Sequence, residues 1–332
     1  MPITQGEKGN SLMPKALITG ISGQDGSYLT ELLLDKGYEV HGIVRPATLE
    51  NPEMRLAHLQ SHLDRIRLHA VELNSLTSTL RVLREMQPQE CYHLASESYV
   101  SPGFENLQEM MHANLYTTHN LLEALRQINN GCRIYFAASS EMFGDAPYSP
   151  QDEETPFQPR TAYGLSKLSG FHLCRFYRRH HGLHLSSGIL YNHESPRRGP
   201  QFVTRKVSSF VAGLKKGRPG KLHMGNLDAR RDWGHARDYT RAMWLMLQQE
   251  SPDDYVVASG VPHSVRDLLS AAFACIGKDY QDYVQVDPVF FREKEPVDLI
   301  GNAQKAHRLL GWQPRIPFEE MIREMVEADL GG

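Results

Sequence analysis

The junction at residues 15–36 constrains this chain more than any other stretch. Lys15-Ala16-Leu17-Ile18-Thr19 has the character of a short buried strand and runs into Gly20-x-x-Gly23-x-x-Gly26. A helical pattern comes next over 27–36, with Leu29, Leu32 and Leu33 on one side. Strand, glycine turn and helix in that order bring the free N–H groups of a helix N-terminus up to a backbone stripped of Cβ atoms. That is a cradle for a diphosphate. The spacing departs from the G-x-G-x-x-G form, and a tight turn without a ligand is the competing reading. The cradle is favoured because a second strand arrives on schedule.

That strand is 39–44, and others lie at 66–71, 90–95, 133–138 and 183–191. Between them lie a polar stretch at 48–65, a helix at 76–86 stopped by Pro88, and a long helix over about 104–128 carrying Leu115, Leu121, Leu122 and Leu125. Strands alternating with helices predict an α/β chain with a Rossmann-type, doubly wound parallel sheet. Ligands of such sheets bind at the C-terminal ends of the strands, so the residues found there become candidates. Arg45 ends the second strand; an acid there would hold the ribose hydroxyls of NAD, whereas arginine suits the extra phosphate of NADP. A plain surface role for Arg45 stays open, and so does NAD. Glu72-Leu73 ends the third strand, where a carboxylate could reach an adenine amino group, and Leu94-Ala95 closes the fourth.

The fifth strand opens the chemically richest stretch. It leads into Ala138-Ser139-Ser140-Glu141, so Ser139 and Glu141 stand at its C-terminal end. Pro159 and Thr161 then signal a helix start, and Gly164 and Gly170 are tolerable before the breaker at Gly182. Tyr163 and Lys167, four apart, share one face of that helix. A lysine beside a phenol favours phenolate and a better base near neutral pH. Alone, Tyr-x-x-x-Lys is usually a solvated helix face. Here a hydroxyl, a carboxylate, a phenol and an amine can converge on one reacting carbon.

After residue 191 the pattern changes. Asn192-His193-Glu194-Ser195-Pro196-Arg197-Arg198-Gly199 is a polar loop that leads into Val203-Thr204-Arg205-Lys206 at a helix start. Gly225-Asn226-Leu227-Asp228-Ala229-Arg230-Arg231-Asp232-Trp233 is a second. Charge runs are usually solvated, but arginines beside glycine turns and a helix N-terminus suit a diphosphate. Helices at 265–276 and 317–328 and a short strand at 284–286 complete a smaller, C-terminal substrate-binding lobe. At 332 residues one large or two joined domains are expected. The division is a leader without a fold at 1–13, a dinucleotide-binding domain at 14–190, and a lobe at 191–332 interleaved with the last strands of the sheet.

Composition narrows the partners. A net charge of −3 provides no footprint for nucleic acid or an acidic membrane, and no apolar run is long enough to span a bilayer. Cys91, Cys132, Cys174 and Cys275 lack metal-ligand spacing; reduced thiols in a cytoplasmic protein, with no metal, are the expectation.

With these residues in view, the chain resembles the extended short-chain dehydrogenase/reductases and, within them, the GDP-mannose 4,6-dehydratase family. The most specific pieces are Thr19-Gly20-Ile21-Ser22-Gly23-Gln24-Asp25-Gly26-Ser27-Tyr28-Leu29, the 192–199 loop and residues 225–239. The resemblance implies an internal redox cycle on GDP-mannose with NADP. Tyr163, with Lys167 and Ser139, would act at carbon 4, and Glu141 would take the carbon 5 proton as water leaves carbon 6. Gln24 and Asp25 would belong to the cofactor site. Glu97, Asn192, Glu194, Arg197, Val203, Lys206, Gly225, Arg231, Arg292 and Glu295 would hold the nucleotide sugar. A homodimer or homotetramer is implied too, with a dimer through the 104–128 and 162–181 helices expected. Ser139 stands where the family has threonine, Glu97 where it has glutamine, and Arg45-Pro46-Ala47-Thr48 where it has Arg-Arg-Ser-Ser. Those departures keep alternatives open: a 4-reductase or epimerase of another nucleotide sugar, or a non-catalytic NADP binder.

Overall fold

The structure, a computed structural model, describes residues 13–97, 107–290 and 297–331. The leader expected at 1–13 lies, apart from Met13, outside the described residues. Twelve strands are described: β1 (Lys15–Thr19), β2 (Glu39–Val44), β3 (Ile66–Ala70), β4 (Glu90–His93), β5 (Arg133–Ser139), β6 (Leu185–Leu190), β7 (Asn192–Glu194), β8 (Leu222–Met224), β9 (Arg230–His235), β10 (Asp254–Val257), β11 (Pro262–Ser264) and β12 (Val284–Val286). Seven form the main sheet in the order β10-β6-β5-β4-β1-β2-β3, and every pairing in it is parallel. From β1 the chain winds outward through β2 and β3, then returns to β4 and winds the other way. The crevice between β1 and β4 is therefore the topological switch point, where ligands of open α/β sheets bind.

Two apolar cores sandwich the sheet. One packs the helices Leu76–Met86, Thr117–Ile128 and Ala162–His181 on one face, through residues such as Leu83, Leu121, Leu125 and Phe171. The other packs Gln24–Asp35 and Ala236–Leu247, through Leu29, Leu33, Met243 and the buried Trp312. Central strands covered on both faces read as continuous apolar runs; β5, Arg-Ile-Tyr-Phe-Ala-Ala-Ser, is buried from Ile134 onward. A third core joins the helices Val203–Lys215, Val265–Ala274 and Phe318–Gly331. Beside it stand a three-stranded sheet, β11-β9-β7, and a parallel β12-β8 pair.

Two elements of the main sheet and its layers are absent from the sequence reading. β10 and the helix Ala236–Leu247 come from the C-terminal part of the chain yet complete the main sheet and its second layer. Asp254, in β10, is buried because Arg178 donates to both of its carboxylate oxygens, at 3.0 and 2.8 Å. The long helix expected over 104–128 is described from Leu107 and is not uniform. Met111–Tyr116 is π-helical before the α-helix Thr117–Ile128 begins. The Thr117 and Thr118 hydroxyls donate to the carbonyls of Ala113 and Asn114 at 2.7 and 2.6 Å. Such back-bonding competes with the regular ladder, and Asn114 is turned into the interior.

Candidate functional site

The glycine turn comes directly after β1. Gly20 is left-handed, at φ +73°, and a Cβ there would stand 2.8 Å from the Ala95 nitrogen. A Cβ on Gly26 would stand 2.4 Å from the Gly20 carbonyl oxygen, so both positions exclude other side chains. Gly23 caps the helix, which starts at Gln24, a turn earlier than its apolar pattern indicates. This bare backbone under a helix N-terminus fits the diphosphate of a dinucleotide. The Leu94 and Ala95 amides donate to Thr19, to its carbonyl at 3.2 Å and its hydroxyl at 3.1 Å. Arg45 is exposed at the end of β2, and Glu72 is exposed after β3. Leu73 is buried, its carbonyl accepting from Asn120 at 2.9 Å.

Gln24 and Asp25 point their side chains at the 193–195 segment. The Gln24 amide donates to the His193 carbonyl at 3.0 Å and accepts from the Ser195 hydroxyl at 2.7 Å. His193 donates from Nε2 to Asp25 at 2.8 Å and from Nδ1 to the Tyr191 carbonyl at 2.7 Å. With an acceptor at each nitrogen, His193 is an imidazolium. Burial pushes the imidazole down, but Asp25 outweighs it and the net shift is upward. Burial pushes the Asp25 carboxyl up, but His193 outweighs that and the net shift is downward.

The tyrosine helix begins where Thr161 accepts from the Gly164 amide at 2.9 Å and ends at the left-handed Gly182. The structure brings Ser139, Glu141, Tyr163 and Lys167 together at the end of β5. The Ser139 hydroxyl accepts from the Glu141 amide at 3.2 Å and stands close enough to the Tyr163 phenol to pull its pKa down. Lys167 is buried, donates to the Ala137 carbonyl at 2.9 Å, and lies 5.8 Å from the centre of the Tyr163 ring. The expectation that this lysine favours phenolate is corrected. Burial pushes Tyr163 up, to about 12, against a downward pull from Ser139 and with a further push from the Glu141 charge. Burial also brings Lys167 down, to about 8. Desolvation of the phenolate sets the direction, and the Lys167 ammonium donates to a backbone carbonyl.

Two residues of the site escaped the sequence reading. Gly164, there a tolerated helix breaker, is a contact: a Cβ would stand 2.5 Å from the Glu141 carbonyl oxygen. Asn114 accepts from the Glu97 amide at 2.9 Å and donates to the Glu97 carbonyl at 3.2 Å and to Ser166, on the tyrosine helix, at 2.9 Å. A polar residue before two threonines in a leucine-rich helix was its only signal.

The arginine-rich loops do not gather in one place. The guanidinium of Arg197 lies 4.0 Å over the Tyr28 ring, donates to Ser27 at 3.0 Å and pairs with Glu31, all on the glycine-turn helix. Arg198 pairs with the buried Glu194 at 3.2 Å, and Arg205 with Asp329. Asn192 is half-buried and pairs with Trp233 in the β7–β9 ladder. Val203 opens its helix, and Lys206 donates to the His223 carbonyl at 2.7 Å while lying 4.8 Å over the Phe290 ring. Gly225 lies under Phe290, whose carbonyl oxygen a Cβ would approach to 2.4 Å. Arg231 donates to the Arg230 carbonyl at 2.8 Å. The side chain of Glu97 is exposed. Arg292 and Glu295 lie outside the described residues. Among the described residues no His, Cys, Asp and Glu cluster could hold a metal, and no helix is long and apolar enough to cross a membrane.

A parallel sheet in this order, a glycine cradle at its switch point and a Tyr-x-x-x-Lys helix beside β5 define the short-chain dehydrogenase/reductase class. The UDP-glucose 4-epimerase of Thermus thermophilus, solved in complex with NAD, is 27% identical, with a TM-score of 0.80 over 96% of this chain and 99% of that one. RMD from Pseudomonas aeruginosa, complexed with NADPH, shares the fold at 23% identity, with a TM-score of 0.82 over 96% of this chain and 99% of that one. Sequence narrows the class. GDP-mannose 4,6 dehydratase 1 of Arabidopsis thaliana is 46% identical over 324 residues, 95% of this chain and 89% of that protein. The model of the GDP-mannose 4,6 dehydratase family matches residues 17–325, and the chain belongs to that family.

Proposed function

We propose that this chain is an NADP-dependent GDP-mannose 4,6-dehydratase, forming GDP-4-keto-6-deoxymannose. The observation that carries the reading is Glu141 held against the tyrosine helix at Gly164, with Ser139 beside the Tyr163 phenol. A reductase or epimerase needs no second base there; a dehydratase needs one for the carbon 5 proton. Bound at the Gly20–Gly26 cradle, the nicotinamide cofactor supplies a hydride acceptor at carbon 4 and a donor at carbon 6. Tyr163 would take the carbon 4 hydroxyl proton in its phenolate form, which burial opposes and positive charge favours, with Ser139 beside the same oxygen. Lys167 supplies positive charge beneath the phenol and stiffens the helix through the Ala137 carbonyl. The new ketone acidifies carbon 5, and Glu141 removes that proton as water leaves carbon 6.

Lys206 and Gly225, both against Phe290, and Val203, one helical turn before Lys206, suit the nucleotide end of the substrate, together with Arg292 and Glu295. Arg197 is proposed as a brace between the substrate loop and the glycine-turn helix rather than a diphosphate ligand, because Glu31 already neutralises it. Arg45, exposed at the end of β2, favours NADP over NAD. Leu165 and Phe176 are exposed on the tyrosine helix, as is Tyr116 on the helix beside it, which supports a homodimer through these two helices; light scattering showing only monomer would refute that. Three buried thiols suit a cytoplasmic setting. Incubation with GDP-mannose and catalytic NADP, without reductant, tests the reaction. A 4-keto-6-deoxy sugar is expected; a requirement for stoichiometric NADPH, or an untouched sugar, would overturn the reading.

A further inference from the structure

His93, the last residue of β4, is buried and has no part in the mechanism above. It lies in an unbroken chain of hydrogen bonds. The Ala95 amide meets the Thr19 hydroxyl at 3.1 Å, and that hydroxyl meets His93 Nδ1 at 2.8 Å. His93 Nε2 meets the Thr118 hydroxyl at 3.0 Å, and Thr118 meets the Asn114 carbonyl at 2.6 Å. The carbonyl end fixes the protons, since a carbonyl can only accept. Thr118 must donate to Asn114, so His93 must donate from Nε2 and accept at Nδ1 from Thr19. One neutral tautomer satisfies the chain. A second proton, on Nδ1, would make the Thr19 hydroxyl accept from both sides and take the acceptor away from its own proton. Burial and the charge of Lys167 oppose that proton as well, holding the imidazole down to about 3.

Both ends of the chain reach the site. Thr19 and Ala95 hold the ends of β1 and β4 together over Gly20, where the dinucleotide cradle begins. Asn114 clamps the Glu97 backbone and Ser166, whose hydroxyl donates to the Tyr163 carbonyl at 2.8 Å. We propose that His93, as the neutral Nε2–H tautomer, is a positioning residue that sets the cofactor cradle in register with the Tyr163 helix. This rests on the dehydratase reading for its kinetic test but not for its spectroscopic one. Displacing reactants by about an ångström costs on the order of a hundredfold in rate, so the register governs turnover more than substrate affinity.

The test has two arms. In the ¹⁵N-histidine NMR spectrum of the wild-type protein, His93 should show the neutral Nε2–H pattern without titrating over about pH 6–8; an Nδ1–H or charged ring overturns the proposal. In the second arm, His93→Phe and Thr118→Val each break the chain at near-constant volume. Each should lower kcat by about tenfold or more while the KM for GDP-mannose holds. Thr118→Val leaves the core histidine in place and serves if His93→Phe does not fold. A wild-type kcat in folded Thr118→Val protein overturns the proposal, as does a fall in thermal stability with kcat unchanged. A wild-type enzyme that makes no 4-keto-6-deoxy sugar would refute the dehydratase reading instead, leaving the tautomer result to stand or fall alone.

Discussion

His193→Phe tests the ion pair that ties the substrate loop to the glycine-turn helix. Phenylalanine preserves the stacking on Tyr239, whose ring centre is 4.6 Å away, but leaves the Asp25 carboxylate, with a fifth of its side chain exposed, without its cation. Removing one partner of a buried pair costs about 3–5 kcal/mol. Protonation limits that loss: bringing a carboxyl of ordinary pKa to its neutral form at pH 7 costs about 1.4 kcal/mol for each of about three units, or about 4 kcal/mol. The expected loss at neutral pH is therefore about 3–4 kcal/mol. The two shifts fix the pH window in which the wild-type pair contributes. Asp25 is depressed, so its contribution is present above the ordinary carboxyl range and lost as pH falls through its folded value. His193 is raised, so its contribution is complete below the ordinary imidazole range and lost as pH rises through its folded value. Both contributions are complete at pH 5, so a narrower gap there comes from the variant, whose Asp25 carboxyl, left without the imidazolium, takes up a proton as pH falls. At pH 5 the gap should shrink to about 1.5 kcal/mol, because neutralising Asp25 then costs about one unit. Urea unfolding at both pH values measures it. A gap that is the same at both, or wider at pH 5, would refute the ion-pair reasoning.

Glu141→Gln should bind both ligands and still oxidise carbon 4, accumulating NADPH absorbance on mixing with GDP-mannose. Its turnover should fall by about 10²–10⁴, and near wild-type turnover or continued carbon 5 exchange with deuterated water would remove Glu141 as the base. Gly164→Ala favours the helix by about 1 kcal/mol, yet its Cβ would meet the Glu141 carbonyl oxygen at 2.5 Å. A fall in kcat on the order of a hundredfold in a folded protein is expected, and unchanged kinetics would contradict the contact. Arg45→Ala should weaken NADP by about 1.5–3 kcal/mol, one to two decades in affinity, and spare NAD; titrations in which both cofactors weaken alike would rule out a 2′-phosphate contact.

The features that can be read from the residues alone are local ones. The helix Leu76–Met86 was legible from its amphipathic period and Pro88, the tyrosine helix from Thr161 and Gly182, and the glycine turn from its place between strand and helix. These signals act within a few residues, so no distant partner is needed to read them. The meeting of Ser139 and Glu141 with Tyr163 was legible too, because strand ends of a parallel sheet share one edge. Long-range packing decided the rest. β10 extends the sheet through pairing with β6, a choice no local pattern encodes. The sequence shows Arg197 as a cation near a glycine; only the fold places it on Glu31 and Tyr28. The Tyr-x-x-x-Lys spacing shows a shared face but not that burial sets the direction of the shift at the phenol. Charge and spacing are properties of the chain, whereas desolvation and partner choice belong to the folded interior.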